Sequence, residues 1–174
     1  GKVIRYEFGI SKDRFFDTVK DCDIIIANKW FFNELLPKLK VKIISLWSTV
    51  FDLIDIKPCK ELGITVTNVP SYSTNSVAEQ TIALIMELSK RVGWLNRQLL
   101  NGEWAYDLPL MTELKGKTFG IIGFGNIGSK VAEIGKALDM GILIYSRTNK
   151  QKEFLYYNFV SLEELLKNSD YVTI

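Results

Sequence analysis

The segment from Thr118 to Leu138 restricts the fold more than any other. Thr118-Phe119-Gly120-Ile121-Ile122 is an apolar run of strand length that passes directly into Gly123-Phe124-Gly125-Asn126-Ile127-Gly128. A helical pattern then extends from Ser129 to Leu138. A strand, a glycine-rich turn and a helix in this order open a dinucleotide-binding βαβ unit. Each glycine has a separate task. Gly123 permits the tight turn, Gly125 lets the backbone approach a pyrophosphate with no Cβ in the way, and Gly128 lets helix and strand pack closely. The helix start offers free N–H groups and a positive dipole end to phosphates. The competing reading is a glycine-rich turn that only packs.

The strand that follows, Ile142 to Tyr145, ends at Ser146-Arg147-Thr148, where NAD-specific proteins place an acid for the ribose 2′-hydroxyl. No acid stands there. Ser146 and Thr148 are able to hydrogen-bond a 2′-phosphate while Arg147 neutralises it, which favours NADP or a relaxed NAD(P) preference. The plainer alternative is an exposed arginine at a strand end.

Elsewhere, short apolar runs alternate with amphipathic stretches. Val3 to Phe8, Asp23 to Ala27, Lys42 to Leu46 and Thr65 to Asn68 read as strands with helices between them, the rhythm of a parallel sheet covered by helices. Asn33 is placed to cap a helix from Glu34. Asp55 precedes Ile56-Lys57-Pro58, with the proline in a first turn, and Gly63 ends that helix. Ser76-Val77-Ala78-Glu79 has the form of a capping box ahead of an almost wholly apolar helix, read as buried between two packed layers and connecting two domains. Glu79 is structural in this reading. From Trp94 to Lys115 the pattern loosens, with a turn at Asn101-Gly102 and a breaker at Pro109. A domain boundary near residue 95 follows. Ser161 caps a helix to Asn168, and Asp170 to Ile174 begin a further strand.

Composition excludes several classes of function. A net charge of +2 over mixed signs supplies no clustered basic face for nucleic acid. No apolar stretch has membrane-spanning length and the start lacks a signal-peptide layout, so no membrane partner and a cytoplasmic location are expected. Cys22 and Cys59 read as free thiols. With no histidine in the 174 residues, the commonest general base and metal ligand is missing, and no metal site is expected.

Further blocks accompany the glycine motif. They are Ser48-Thr49-Val50-Phe51-Asp52-Leu53-Ile54-Asp55, Gly63-Ile64-Thr65-Val66-Thr67-Asn68-Val69-Pro70-Ser71-Tyr72-Ser73, Ser76-Val77-Ala78-Glu79-Gln80, Gly102-Glu103-Trp104 and Leu114-Lys115-Gly116-Lys117. In order and spacing the chain resembles the D-isomer-specific 2-hydroxyacid dehydrogenases, the family of D-lactate, glycerate, glyoxylate/hydroxypyruvate and phosphoglycerate dehydrogenases. The resemblance implies an α/β chain with a flavodoxin-like substrate (catalytic) domain in residues 1–95, including the interdomain helix. Residues 96–174 would be the N-terminal half of a Rossmann dinucleotide-binding domain.

The activity implied is hydride transfer between NAD(P)H and a small 2-oxo or 2-hydroxy acid such as glyoxylate, hydroxypyruvate or pyruvate. Ser48, Thr49, Val50 and Phe51 match a turn whose N–H groups hold the substrate carboxylate. Tyr72 matches an aromatic position at the substrate pocket; without the resemblance it reads as a half-buried tyrosine at a domain edge. Thr74 falls where family members touch the cofactor. Gln80 replaces a frequent histidine, Val50 stands where many relatives have glycine, and Leu46 replaces the arginine that phosphoglycerate dehydrogenases carry beside the turn. A substrate without a phosphate group is therefore favoured.

The family's catalytic arginine, glutamate and histidine lie beyond the position of Ile174, so no catalytic residue is assigned in this chain. It is expected to be truncated on its C-terminal side and inactive alone. Relatives dimerise around the helix that starts near Trp94, which implies a homodimer for the complete protein. The alternatives are a non-catalytic NAD(P)-binding sensor of the corepressor type and an inactive fragment.

Overall fold

The computed structural model describes residues 11–27, 33–104, 109–148 and 156–174. The chain forms two compact units, Gly1–Tyr72 and Ser73–Ile174, each an α/β arrangement on a parallel sheet. The strand expected at Val3 to Phe8 lies outside the described residues.

In the first unit, helix α1 (Lys12–Val19) starts at Ser11, whose hydroxyl accepts the Arg14 N–H, and it buries Phe15 and Val19. Strands β1 (Ile24–Ala27), β2 (Ile43–Leu46) and β3 (Thr65–Thr67) pair in the order β1-β2-β3. Period-two alternation sends Ile25 and Ala27 of β1, and Ile44 and Leu46 of β2, into one core with Phe15, Leu36, Ile54 and Cys59. Helix α2 (Ile56–Glu61) begins at Asp55, whose carboxylate accepts the Lys57 N–H, and Gly63 follows it at φ 68°. Both ends match the punctuation expected there. Asn33 differs. It opens a 3-10 helix (Asn33–Lys38) containing Pro37, and its side chain donates to the Leu53 carbonyl and accepts the Asp55 N–H. Rather than capping a helix from Glu34, Asn33 fastens the chain just before α2.

The second unit begins with helix α3 (Thr74–Lys90) and helix α4 (Val92–Leu100). The capping box expected at Ser76 is not formed. Ser73 is the N-cap and makes no side-chain cap bond, so Ser76 lies within the first turn and Glu79 is exposed. Helix α3 is also not apolar-buried all round, since Ala78 and Ile85 are buried while Leu84 and Leu88 are 56% and 70% exposed. The two compact units divide after Tyr72, and Ala78 and Ile85 of α3 share a core with Phe119, Ile121 and Val131. By packing, α3 belongs with the second unit.

Strands β4 (Thr118–Ile122), β5 (Gly141–Tyr145), β6 (Asn158–Phe159) and β7 (Tyr171–Thr173) form an all-parallel sheet in the order β6-β5-β4-β7. Helices α5 (Asn126–Ala137) and α6 (Leu162–Asn168) complete the unit. Taken from the glycine-motif strand, the order is 3-2-1-4, that of a Rossmann sheet through its fourth strand. β4 is central, with Phe119 opposite both Ile142 and Tyr171, and its middle residues are buried, as a continuous apolar strand in a parallel sheet should be. A Cβ at Gly120 would overlap the Ser169 hydroxyl and lie 2.6 Å from Leu165 Cδ2, so glycine lets α6 sit directly on β4.

Asp170 ties the starts of β4 and β7 together. Its carboxylate accepts the Thr118 N–H at 2.8 Å and its own N–H donates to the Thr118 carbonyl at 2.9 Å, with Lys117 Nζ 3.5 Å away. The Thr118 N–H, aided by the Lys117 charge, holds the Asp170 carboxyl below the usual carboxylate range. A depressed folded-state pKa contributes stability that is present above the unfolded value and is lost as pH falls through the folded one. Wild type should therefore lose part of its advantage over Asp170→Asn as pH drops below about 4. Urea melts of both proteins between neutral and acid pH measure it; a constant gap would show that the ionised carboxylate is not what matters.

Candidate functional site

The glycine loop joins β4 directly to α5. Gly123 has φ 102°, outside the region open to other residues, and its N–H donates to the Tyr145 carbonyl at 2.8 Å. A Cβ on Gly128 would overlap the Gly123 carbonyl oxygen and lie 3.1 Å from its carbon, so α5 approaches the strand end as closely as a backbone permits. A Cβ on Gly125, by contrast, would meet no atom within 4 Å. Gly125 thus faces open space and is not held to glycine by packing.

Gly125 is the N-cap of α5, with no side-chain cap bond. The helix starts at Asn126, earlier than the Ser129 expected, because a glycine cap leaves no side-chain signature. Its first-turn N–H groups and dipole end point to the loop. Asn126 and Ile127 are exposed. Phe124 is 3% exposed, and its ring meets Tyr157 and Phe159 edge-on at 5.4 and 5.3 Å. It can face a ligand only through its main chain.

Beside the loop lies an open cleft of about 380 Å³ lined by Thr74, Asn126, Ser129, Lys130, Glu133 and Tyr157. Thr74 and Asn126 were legible in the sequence. The others were not, although Asn126, Ser129, Lys130 and Glu133 follow the i, i+3, i+4, i+7 spacing of one helix face. Lys130 and Glu133 pair at 2.9 Å, and Ser129 donates its hydroxyl proton to the Asn126 carbonyl. Burial, reinforced by the Glu133 charge, pushes the Tyr157 hydroxyl above its ordinary pKa. At the end of β5, Ser146 is half-buried and Arg147 and Thr148 are exposed.

In the first unit, the turn after β2 is tied down by side chains. The buried Ser48 donates its hydroxyl proton to the Val50 carbonyl at 2.6 Å, Asn68 donates to the Thr49 carbonyl at 2.8 Å, and the Val69 N–H donates to the Ser48 carbonyl. Among the described residues, no hydrogen bond takes the N–H of Thr49, Val50 or Phe51. Val50 and Phe51 are each 51% exposed. The carbonyls of this turn are thus satisfied from within the unit, that of Phe51 by the Ile54 N–H. Tyr72 is 64% exposed, not half-buried, and follows Ser71 at φ 64°.

Among the described residues no helix is long and apolar enough to cross a membrane. Residues 82–174 match the family model of the D-isomer specific 2-hydroxyacid dehydrogenase NAD binding domain. The chain is 35% identical to a hydroxypyruvate reductase of Blautia hydrogenotrophica, over 90% of this chain and 51% of that protein. It is 39% identical to a glyoxylate reductase of Aeropyrum pernix, over 88% of this chain and 46% of that protein. A D-lactate dehydrogenase from Aquifex aeolicus, solved with NAD and lactic acid, superposes with a TM-score of 0.81 at 37% identity, over 90% of this chain and 48% of the other. The chain spans about half the length of the curated relatives it matches. With strand order, glycine loop and sequence in agreement, this chain belongs to the D-isomer specific 2-hydroxyacid dehydrogenase family.

Proposed function

We propose that the whole protein is an oxidoreductase that reduces a small 2-oxo acid such as glyoxylate, hydroxypyruvate or pyruvate with a nicotinamide dinucleotide. The observation that supports this most is Gly128 packed against the Gly123 carbonyl while Gly125 opens to free space. That combination sets a helix N-terminus close to the strand end and leaves room for a pyrophosphate on it.

In this reading the main-chain N–H groups from Gly125 to Gly128, with Phe124 contributing main chain only, hold the pyrophosphate, and Thr74 adds a hydroxyl. The N–H groups of Thr49, Val50 and Phe51 hold the substrate carboxylate, with Ser48 bracing the turn and Tyr72 bounding the pocket. When bound, the nicotinamide supplies the hydride; this chain's residues hold and orient the reactants. No residue of this chain is assigned the role of the family's catalytic arginine, glutamate or histidine. A homodimer and a cytoplasmic location belong to the same proposal.

For the cofactor, Ser146, Arg147 and Thr148 support NADP or a relaxed preference, since a guanidinium and hydroxyls stand where an acid would repel a 2′-phosphate. Arg147→Ala in the full-length protein should weaken NADPH roughly 10- to 100-fold, the loss of about 1.5–3 kcal/mol for a hydrogen bond to a charged group. NADH affinity should change little. Equal weakening of both would remove Arg147 from the 2′ position. Dinucleotide binding without turnover of any of the three acids would favour a non-catalytic sensor.

A further inference from the structure

Helices α3 and α4 meet at Arg91, which has a left-handed φ of 52°, a conformation that disfavours any residue with a Cβ. The Arg91 N–H donates to the Glu87 carbonyl at 2.7 Å and so closes α3. The Glu87 carboxylate then reaches past the bend and accepts the Gly93 N–H at 2.8 Å. A Cβ on Gly93 would lie 2.9 Å from Glu87 Oε1, so the glycine is what lets the carboxylate come this close. One residue therefore both ends the first helix and caps the second.

Besides this bond, α4 is packed only through the half-buried Gly93, Trp94, Leu95 and Gln98. None of its residues is buried, whereas α3 buries Ala78, Ile85 and Ser89. Its own N-cap residue, Arg91, makes no side-chain cap bond. A carboxylate at this end also meets the positive end of the α4 dipole.

We propose that Glu87 is a latch that holds α4 at its bend from α3. The bond replaces the local N-cap that the sequence at Arg91 does not provide. It depends on α3, α4 and the residue between them, and stands whether or not the dinucleotide reading does.

Amide hydrogen exchange on the full-length protein tests the latch. In Glu87→Ala, exchange across α4 should rise about fivefold, the usual effect of losing a cap, while β4 and α5 keep their wild-type rates. Glu87→Gln, which retains an acceptor oxygen, should stay within about twofold of wild type. Unchanged exchange in α4 of the alanine variant would overturn the proposal. A uniform rise through the second unit, or failure of that variant to fold, would also count against it, because a latch on α4 leaves the α3 core intact. A glutamine variant as loose as the alanine one would contradict a latch made of this hydrogen bond.

Discussion

Gly128→Ala is expected to lower stability by about 3 kcal/mol, the upper part of the range for overpacking, and to remove measurable dinucleotide binding. The new methyl would overlap the Gly123 carbonyl oxygen and lie 3.5 Å from Ile121 Cγ2. Neither neighbour gives way easily. Gly123 is fixed at φ 102°, and Ile121 is 1% exposed in the core. Helix α5 would have to lift, taking its first-turn N–H groups away from the loop.

Gly125→Ala separates binding from folding. Its backbone is extended, at φ −94° and ψ −158°, and its Cβ would meet nothing within 4 Å. Stability should hold or rise by up to about 1 kcal/mol. Binding should fall at least about tenfold, or about 1.4 kcal/mol, because the methyl occupies the space assigned to the pyrophosphate. Urea melts and calorimetric titration of both variants give the comparison. A Gly125→Ala protein that binds as wild type would move the ligand away from this loop.

Phe119→Ala should cost about 3–5 kcal/mol in a urea melt, a large share of the roughly 5–15 kcal/mol available to a folded protein. Phe119 is fully buried on the central strand. Its ring also braces α5, since a Cβ on Gly135 would come 3.0 Å from Phe119 Cδ1. Truncation opens a cavity under the helix whose N-terminus forms the candidate site, so binding should weaken with stability. Phe119→Leu, which keeps more of the volume, should lose less. A cost below about 1 kcal/mol for the alanine variant would mean that the core collapses around the site and that the ring is not a brace.

The elements that could be read in advance are those whose ends bear chemical marks. Strand β4 spans Thr118–Ile122 as expected, because an apolar run meets a glycine turn there. Ser161 caps α6 by accepting the Glu164 N–H, and Asp55 caps α2, each a short polar side chain with a local task. Where local marks competed with packing, they misled. Ser76 and Glu79 have capping-box spacing, yet α3 starts three residues earlier, with Ser73 as N-cap and Thr74 as its first residue. Gly125 caps α5 with no side chain, so the sequence pattern began that helix too late. β6 comprises only Asn158 and Phe159, too short for periodicity to show.

The candidate site divides in the same way. The glycine loop has a spacing that local sequence preserves. The Asp170 tie to Thr118 and the Tyr157 side of the cleft join residues far apart in the chain, and only the strand order brings them together.

Calorimetric titration of the full-length protein with NADPH, repeated with NADH, tests the central claim most directly. Saturable binding at one site per chain, tighter for NADPH or equal for the two, is the predicted result. A folded protein that gives no saturable heat with either dinucleotide would contradict it, leaving the glycine loop as a packing device only.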